Sequence, residues 1–292
     1  MTTSAQIPGD EAPDPVSDPA PDPWARSWPV GWHVTHVTDT GSTNDDLLAA
    51  AVTGAPDRSV LVADHQRAGR GRLDRRWEAP PGANLLVSIL FRTVPDPPGE
   101  LVRRVALAAA EAGRRSTGAD VRLKWPNDLL LDGRKLGGIL TQHRHVRHVR
   151  HGRARQGEGG SGAVVVVGLG LNVGWAPDGA ARLGDAVSRP AVLDALLRVY
   201  DELPAGPDEL GERYRERLDT LGRRVRVELP DGELVGRATD VTADGRLVVL
   251  DDCGVTHRLD VGDVVHVRGA GPAGPAGPTG PARPGAGADR AR

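Results

Sequence analysis

The chain has 292 residues, 39% hydrophobic and 26% charged, with a formal net charge of -2. That composition allows one large or two modest globular domains, and its near-neutral balance excludes nucleic-acid binding along most of the surface, leaving only local basic sites. The single cysteine, Cys253, excludes an intrachain disulfide and a cysteine-rich metal site and fits a reducing, cytoplasmic compartment; no apolar run of about 18 residues and no basic-then-apolar leader occurs, so neither a membrane span nor a secretion signal is expected.

Residues 1 to about 24 are rich in Pro, Asp and Ala, with no Lys or Arg before Arg26. They read as a disordered acidic leader, with the leader segment drawn as 1-30. They lack the periodic apolar helices that a DNA-binding helical domain requires. His33 to Thr40 alternates as a strand. Gly41-Ser42-Thr43-Asn44-Asp45-Asp46 then opens a helix, with Ser42 or Thr43 as cap and Asp45 or Asp46 completing a capping box. Beyond capping, hydroxyls and an amide at a helix N-terminus can hydrogen-bond a polar ligand, and the free N–H groups favour an anion.

The strands Ser59 to Asp64 and Leu85 to Phe91 hold between them a loop, Asp64 to Trp77, around which the chain is organised. Gly69 and Gly71 permit close backbone approach to a ligand. Arg70, Arg72, Arg75 and Arg76 repel one another unless an anion intervenes, and guanidinium groups pair with carboxylate and phosphate through two parallel hydrogen bonds. This predicts an arginine loop closing over an anionic small molecule, with Trp77 available to stack on a flat ring. Taken alone, the loop reads equally as a solvated basic segment or an Arg-Gly RNA contact.

Leu101 to Arg114 has helical apolar spacing. In Val121 to Gln142, two strands flank the hairpin turn Asp132-Gly133. Lys124 and Lys135 lie in otherwise core-like strands, which is costly unless they reach a charge or solvent. Pro126 fixes the bend before Asn127 and Asp128, and Gly137-Gly138 inside a strand suggests a close approach to the backbone. An edge hairpin with solvated lysines is the plainer reading. Residues 143-162, rich in His and Arg and then Gly, read as a disordered basic insertion without metal-ligand spacing.

Ala163 to Leu169 is a strand buried on both faces. Gly168 to Val173 ends it, and Asn172 offers both donor and acceptor. Arg189 to Leu203 and Asp208 to Leu221 read as helices. From Arg223 to Arg268 the period becomes two, with turns at Asp231-Gly232, Asp244-Gly245 and Cys253-Gly254: a small β-barrel of SH3-like size. Cys253 reads as an incidental thiol in a turn. The Gly-Pro-X run of 271-282 and the rest of the tail, 270-292, read as disordered.

Taken in order, Ser42-Thr43-Asn44, the loop Gln66 to Trp77, Lys124-Trp-Pro-Asn-Asp128, Arg134-Lys135-Leu-Gly-Gly-Ile-Leu140 and Gly168 to Val173 make the chain resemble the biotin–protein ligases over about residues 33 to 268. The resemblance is to the short form, without an N-terminal DNA-binding domain, so no DNA partner and no repression of transcription are expected. It implies an α+β fold: a mixed-sheet catalytic domain of the biotin/lipoate ligase type over 31-222, then the SH3-like barrel over 223-269. It implies a two-step reaction. ATP and biotin give biotinyl-5′-AMP and pyrophosphate, and a lysine of a biotin carboxyl carrier protein domain then takes the biotinyl group. Mg²⁺ is implied by the ATP chemistry rather than by a ligand motif.

The resemblance also implies roles. Lys135 lies against the biotin carboxyl and the α-phosphate; Arg70 and Arg72, with Gly71, order over the ligand; Ser42, Thr43, Asn44 and Gln66 line the ureido end and pocket of biotin. Trp77 packs on adenine, Lys124, Asn127 and Asn172 stand near the nucleotide, and Asp128 orients or deprotonates the incoming lysine. One departure is that the family loop's second Gly-Arg is Asp74-Arg75 in this chain. The nearest rival, lipoate–protein ligase, usually carries Arg-Arg-x-Ser-Gly-Gly-Gly, which this chain lacks. A non-enzymatic RNA-binding module would require stacking aromatics beside the basic groups, and aromatics are only 3%. A P-loop ATPase is disfavoured because no Gly-x-x-x-x-Gly-Lys-Ser/Thr run exists. Nothing in the sequence sets an oligomeric state.

Overall fold

The computed structural model describes residues 22–73, 75–147, 161–229, 232–260 and 262–266. A seven-stranded sheet carries the larger part. Its strands are β1 (His33–Thr40), β2 (Ser59–Gln66), β3 (Leu85–Phe91), β4 (Val121–Lys124), β5 (Asp128–Leu131), β6 (Arg134–Arg147) and β7 (Ser161–Leu171), in the order β1-β2-β3-β7-β6-β5-β4. Only β1 and β2 run parallel, joined through helix α1 (Thr43–Val52); the other pairs are antiparallel, so the sheet is mixed.

All of β3 is buried because both sheet faces are covered. Successive side chains point to opposite faces. Leu85, Val87, Ile89 and Phe91 join the main core with helices α2 (Gly99–Thr117), α3 (Arg189–Glu202) and α4 (Pro207–Arg217). Leu90 meets Leu47, Leu48 and Ala51 of α1 together with Val164 and Val166 of β7. On this α1 face the register sets Ser88 beside Gly168, and Gly168 beside Leu140. One pleat on, Gly170 pairs with Gly138, which pairs with Asp128. Three adjacent strands thus carry small residues where α1 begins, and the sheet face is hollow there. The turn between β5 and β6 has Asp132 and Gly133 both at positive φ, 52° and 69°, the geometry that suits a two-residue hairpin.

A second antiparallel sheet has the order β11 (Thr256–Leu259), β10 (Leu247–Asp251), β9 (Gly232–Val241), β8 (Arg224–Leu229) and β12 (Asp263–His266). Its alternating Val225, Val227, Ala238, Val249 and Val264 form its inner face. This is the small C-terminal β-domain of SH3-like size expected from the period-two pattern. It is bound to the larger part by Trp125 Nε1, which donates to the Gly245 carbonyl at 2.9 Å.

Three expectations require correction. The leader does not extend to residue 30: Trp24 is only 6% exposed, stacked on His36 at 4.9 Å with Arg189 5.4 Å from its ring. Two large aromatics, Trp24 and Trp28, stacked at 6.2 Å and packed on the main core, dock the end of an otherwise polar stretch. The insertion at 143-162 is narrower, because β6 continues to Arg147, paired with Ser161 of β7. Histidine and arginine are tolerated on strands that outrun the covered part of a sheet. The expected capping box is also absent: Ser42 is the N-cap but makes no side-chain cap bond, and Asp46 accepts instead from Thr40 Oγ1. The expectations for residues 1–21, 148–160 and 270–292, and the Asp231 half of one turn, lie outside the described residues.

Candidate active site

One pocket opens on the α1 face of the large sheet. It is lined by Ser42, Thr43, Asn44, Gln66, Arg70, Gly71, Arg72, Trp77, Asn127, Asp128, Lys135 and Asn172, which is every residue given a role by the resemblance except Lys124. Lys124 stands at the end of β4 and instead bears on His266: burial first, then the charges of Lys124 and Arg223, hold His266 below its ordinary pKa. The period-two reading placed Lys124 and Lys135 in strands but could not say which would reach the hollow.

At one end the N-terminus of α1 meets the sheet. Thr43 N and Oγ1 both face Gln66 Oε1, at 2.9 and 3.0 Å, so the end of β2 caps the helix from outside. Asn44 Nδ2 donates to the Leu140 carbonyl at 3.2 Å, and its Oδ1 lies 2.6 Å from Ser88 Oγ. Asn44 packs so closely on β7 that a Cβ at position 168 would overlap its amide. Ser88 is buried beneath Thr43 and Asn44 and was not singled out from the sequence. The signal was available, since Ser88 is the one polar residue in the apolar run Leu85 to Phe91.

At the other end Lys135 Nζ is 2.6 Å from Asp128 Oδ1 and 5.9 Å from the centre of the Trp77 ring. Gly138 lies beneath this pair, and a Cβ there would be 3.5 Å from Lys135 Nζ and 3.6 Å from Asp128 Oδ1. The indole of Trp77 rests on Gly170, where a Cβ would overlap the ring, and its Nε1 is buried with no partner among the described residues. Asn172 is 2% exposed; its Nδ2 donates to the Ala181 carbonyl and its Oδ1 accepts from Asn84 Nδ2 at 3.2 Å. It therefore holds the wall of the pocket in shape with its polar atoms already engaged.

The arginine loop closes on itself as a short hairpin: Arg70 bridges Arg76, Gly71 N donates to the Arg75 carbonyl, and Trp77 N donates to the Gly69 carbonyl. Its exposed tip carries Leu73, at φ 55° and 67% exposed; Asp74 lies outside the described residues. Each guanidinium has its own counterpart. Arg70 pairs with Asp45 of α1. Arg72 donates to Asn127 Oδ1 and to the Gly262 carbonyl, both at 3.2 Å, and Arg75 meets Asp263 at 2.5 Å. Burial lowers the Arg72 pKa, with Asp263 and Asp128 opposing it, yet a guanidinium stays charged. Asp263, from β12, also lines the pocket. No local pattern in the sequence marked it, because its partner is 188 positions away.

Chemically, the pocket has a polar cradle at the helix end, a lysine–carboxylate pair over glycine at the centre, and a set of cationic groups on a loop at its mouth. Such an arrangement can neutralise two anionic groups brought together and cover them.

Comparison with known proteins places the chain in a family. Residues 35–154 match the biotin/lipoate A/B protein ligase family and residues 220–267 match the biotin protein ligase C terminal domain. The biotin–[acetyl-CoA-carboxylase] ligase of Mycobacterium tuberculosis is 40% identical over 253 residues, covering 80% of this chain and 88% of that protein. The protein of the same name from Paracoccus denitrificans is 30% identical, covering 74% and 89%. Among solved structures, the biotin protein ligase from Aquifex aeolicus in complex with biotin and ATP superimposes with a TM-score of 0.62 at 22% identity, over 81% of this chain and 99% of that one, which is a likeness of fold. The chain belongs to the biotin protein ligase family.

Proposed function

We propose that the protein is an ATP-dependent biotin–[acetyl-CoA-carboxylase] ligase, which joins biotin to AMP and then passes the biotinyl group to a lysine of a carrier domain. The observation that carries this reading is the Lys135–Asp128 pair set over Gly138 between the helix-end cradle and Trp77. The identity to relatives that bear this name supports it.

In the first step the carboxylate of biotin attacks the α-phosphate of ATP. The new C–O–P linkage forms as the bond to pyrophosphate breaks. Two anions approach one another, so the step needs fixed positive charge where charge develops. Lys135 supplies it at the centre, and Arg70 and Arg72 supply it from the loop, exchanging Asp45 and Asn127 for ligand oxygens. Thr43, Asn44 and Gln66, with Ser42 at the cap, hold the polar ring of biotin. Trp77 offers its face to adenine, and Asn127 and Asn172 shape the nucleotide end. In the second step a carrier lysine attacks the mixed anhydride and AMP leaves; Asp128 orients that amine or takes its proton. Mg²⁺, implied by the ATP chemistry, enters as part of the MgATP substrate.

The reading is tested by incubating the protein with biotin, MgATP and a biotin carboxyl carrier domain. A gain of one biotinyl group on a single carrier lysine, dependent on ATP, is the expected result. An unmodified carrier, with adenylate also absent, contradicts it.

A further inference from the structure

Beneath the helix-end cradle, Ser88 is fully buried on β3 and does not itself line the pocket. Its Oγ lies 2.6 Å from Asn44 Oδ1 and 2.6 Å from Thr43 Oγ1, while Thr43 Oγ1 lies 3.0 Å from Gln66 Oε1. The two amides are fixed in orientation. Asn44 Nδ2 donates to the Leu140 carbonyl, so its oxygen faces Ser88. Gln66 receives the Thr43 backbone N–H, so its oxygen faces Thr43. The row therefore runs amide oxygen, hydroxyl, hydroxyl, amide oxygen. It contains three contacts, but each hydroxyl has a single proton to donate, so one contact has none.

Energetics decide which contact it is. Asn44 Oδ1 has Ser88 as its donor and no other among the described residues, and a buried acceptor left unpaired is costly. Ser88 therefore donates to Asn44, and the close contact between the hydroxyls takes the proton of Thr43. Gln66 Oε1 loses least, because the Thr43 N–H already satisfies it. The contact left without a proton is Thr43 Oγ1 to Gln66 Oε1, which is also the longest of the three.

We propose that Ser88 is a specificity-determining positioning residue: it draws the Thr43 proton inward and leaves Thr43 Oγ1 and Gln66 Oε1 as a pair of acceptors facing the pocket, selecting a ligand that presents N–H. A cyclic urea meets that requirement, and a dithiolane, which has no N–H, does not. The inference rests on the proposed reaction, in which the ring is the ureido ring of biotin, and it adds the residue that sets the polarity of its recognition. Without Ser88 the Thr43 hydroxyl turns to Gln66, and one acceptor is lost.

The test is a cycle between residue and ligand. Biotin and biotin methylated on each ureido nitrogen in turn are titrated into the wild type, Ser88→Ala and Ser88→Cys, with ATP titrated in parallel. In the wild type, methylation at one of the nitrogens is expected to weaken binding by about ten- to a hundredfold, the usual loss for an unmade buried hydrogen bond. In Ser88→Ala, biotin is expected to bind about tenfold more weakly, the methylation penalty to shrink, and the affinity for ATP to hold. KM for biotin should rise with kcat at saturating biotin retained. Ser88→Cys keeps the size of the side chain but replaces a good acceptor with a poor one; it should behave likewise, and it carries the test if the alanine variant does not fold. Wild-type biotin affinity in the variants, or an undiminished methylation penalty, overturns the inference alone. A wild-type protein that binds no biotin overturns the functional reading as well.

Discussion

At the scale of single residues, the charges of the pocket are paired: Lys135 with Asp128, Arg70 with Asp45 and Arg75 with Asp263. Lys135 already holds Asp128 at 2.6 Å, so its ammonium is positioned before any substrate arrives. Lys135→Ala should lower the rate of adenylate formation by about a hundredfold or more, the usual effect of removing a group that stabilises transition-state charge, with the fold unchanged because Lys135 is partly exposed. Burst measurement of adenylate checks this; wild-type rates would remove Lys135 from the mechanism. Gly170 is as demanding. A Cβ there would overlap the Trp77 ring, so Gly170→Ala must displace the indole. The expected result is a raised KM for ATP with KM for biotin little changed, at a cost of about 1–3 kcal/mol in stability, typical of overpacking. Ligand-dependent shifts in thermal midpoint would report both. These residues were legible as types before the structure: a lysine in a core-like strand and glycines at a strand end are locally anomalous. Ser88 was equally anomalous, but a lone serine in an apolar strand has many explanations, and only the neighbouring amides select one.

At the scale of elements, the loop Asp64 to Trp77 is held shut in part from outside itself. Arg72 and Arg75 dock on Gly262 and Asp263 at the start of β12. Arg75 is exposed and Asp263 partly so, and ion pairs of this kind contribute little to stability, so Asp263→Ala should leave the unfolding free energy within about 0.5 kcal/mol of wild type. It should instead release the adenylate faster into solution, measured as intermediate appearing in filtrate without carrier; a leak equal to wild type would show that the loop does not depend on this contact. Helix α2 gives a separate expectation for acid. Hydrogen bonds from Arg114, then opposing burial, then Arg115 hold the Glu111 carboxyl at about 2, from an ordinary 4.5. A depressed carboxylate stabilises the folded state fully above its ordinary value and loses that contribution as pH falls toward the depressed one. Glu111→Gln should therefore lower stability near pH 7 and flatten the loss between about pH 4.5 and 2. Parallel denaturation curves in that window would decide.

At the scale of the whole molecule, local periodicity located the strands and helices because most of their information is in the spacing of apolar residues. The two-part division followed from a change of period near Arg223. What could not be read was anything set by distant pairing: the partnership of Arg75 with Asp263, the removal of Lys124 from the pocket, and the continuation of β6 into the basic segment through β7. Trp24 belongs with these, since its stacking on His36 depends on a strand that follows it. The account rests on one claim, that the hollow beside α1 joins biotin to AMP. The most direct measurement is exchange of labelled pyrophosphate into ATP with biotin or lipoate as the acid. The account predicts rapid exchange with biotin and none with lipoate. Exchange with lipoate alone, or with neither acid, would contradict it.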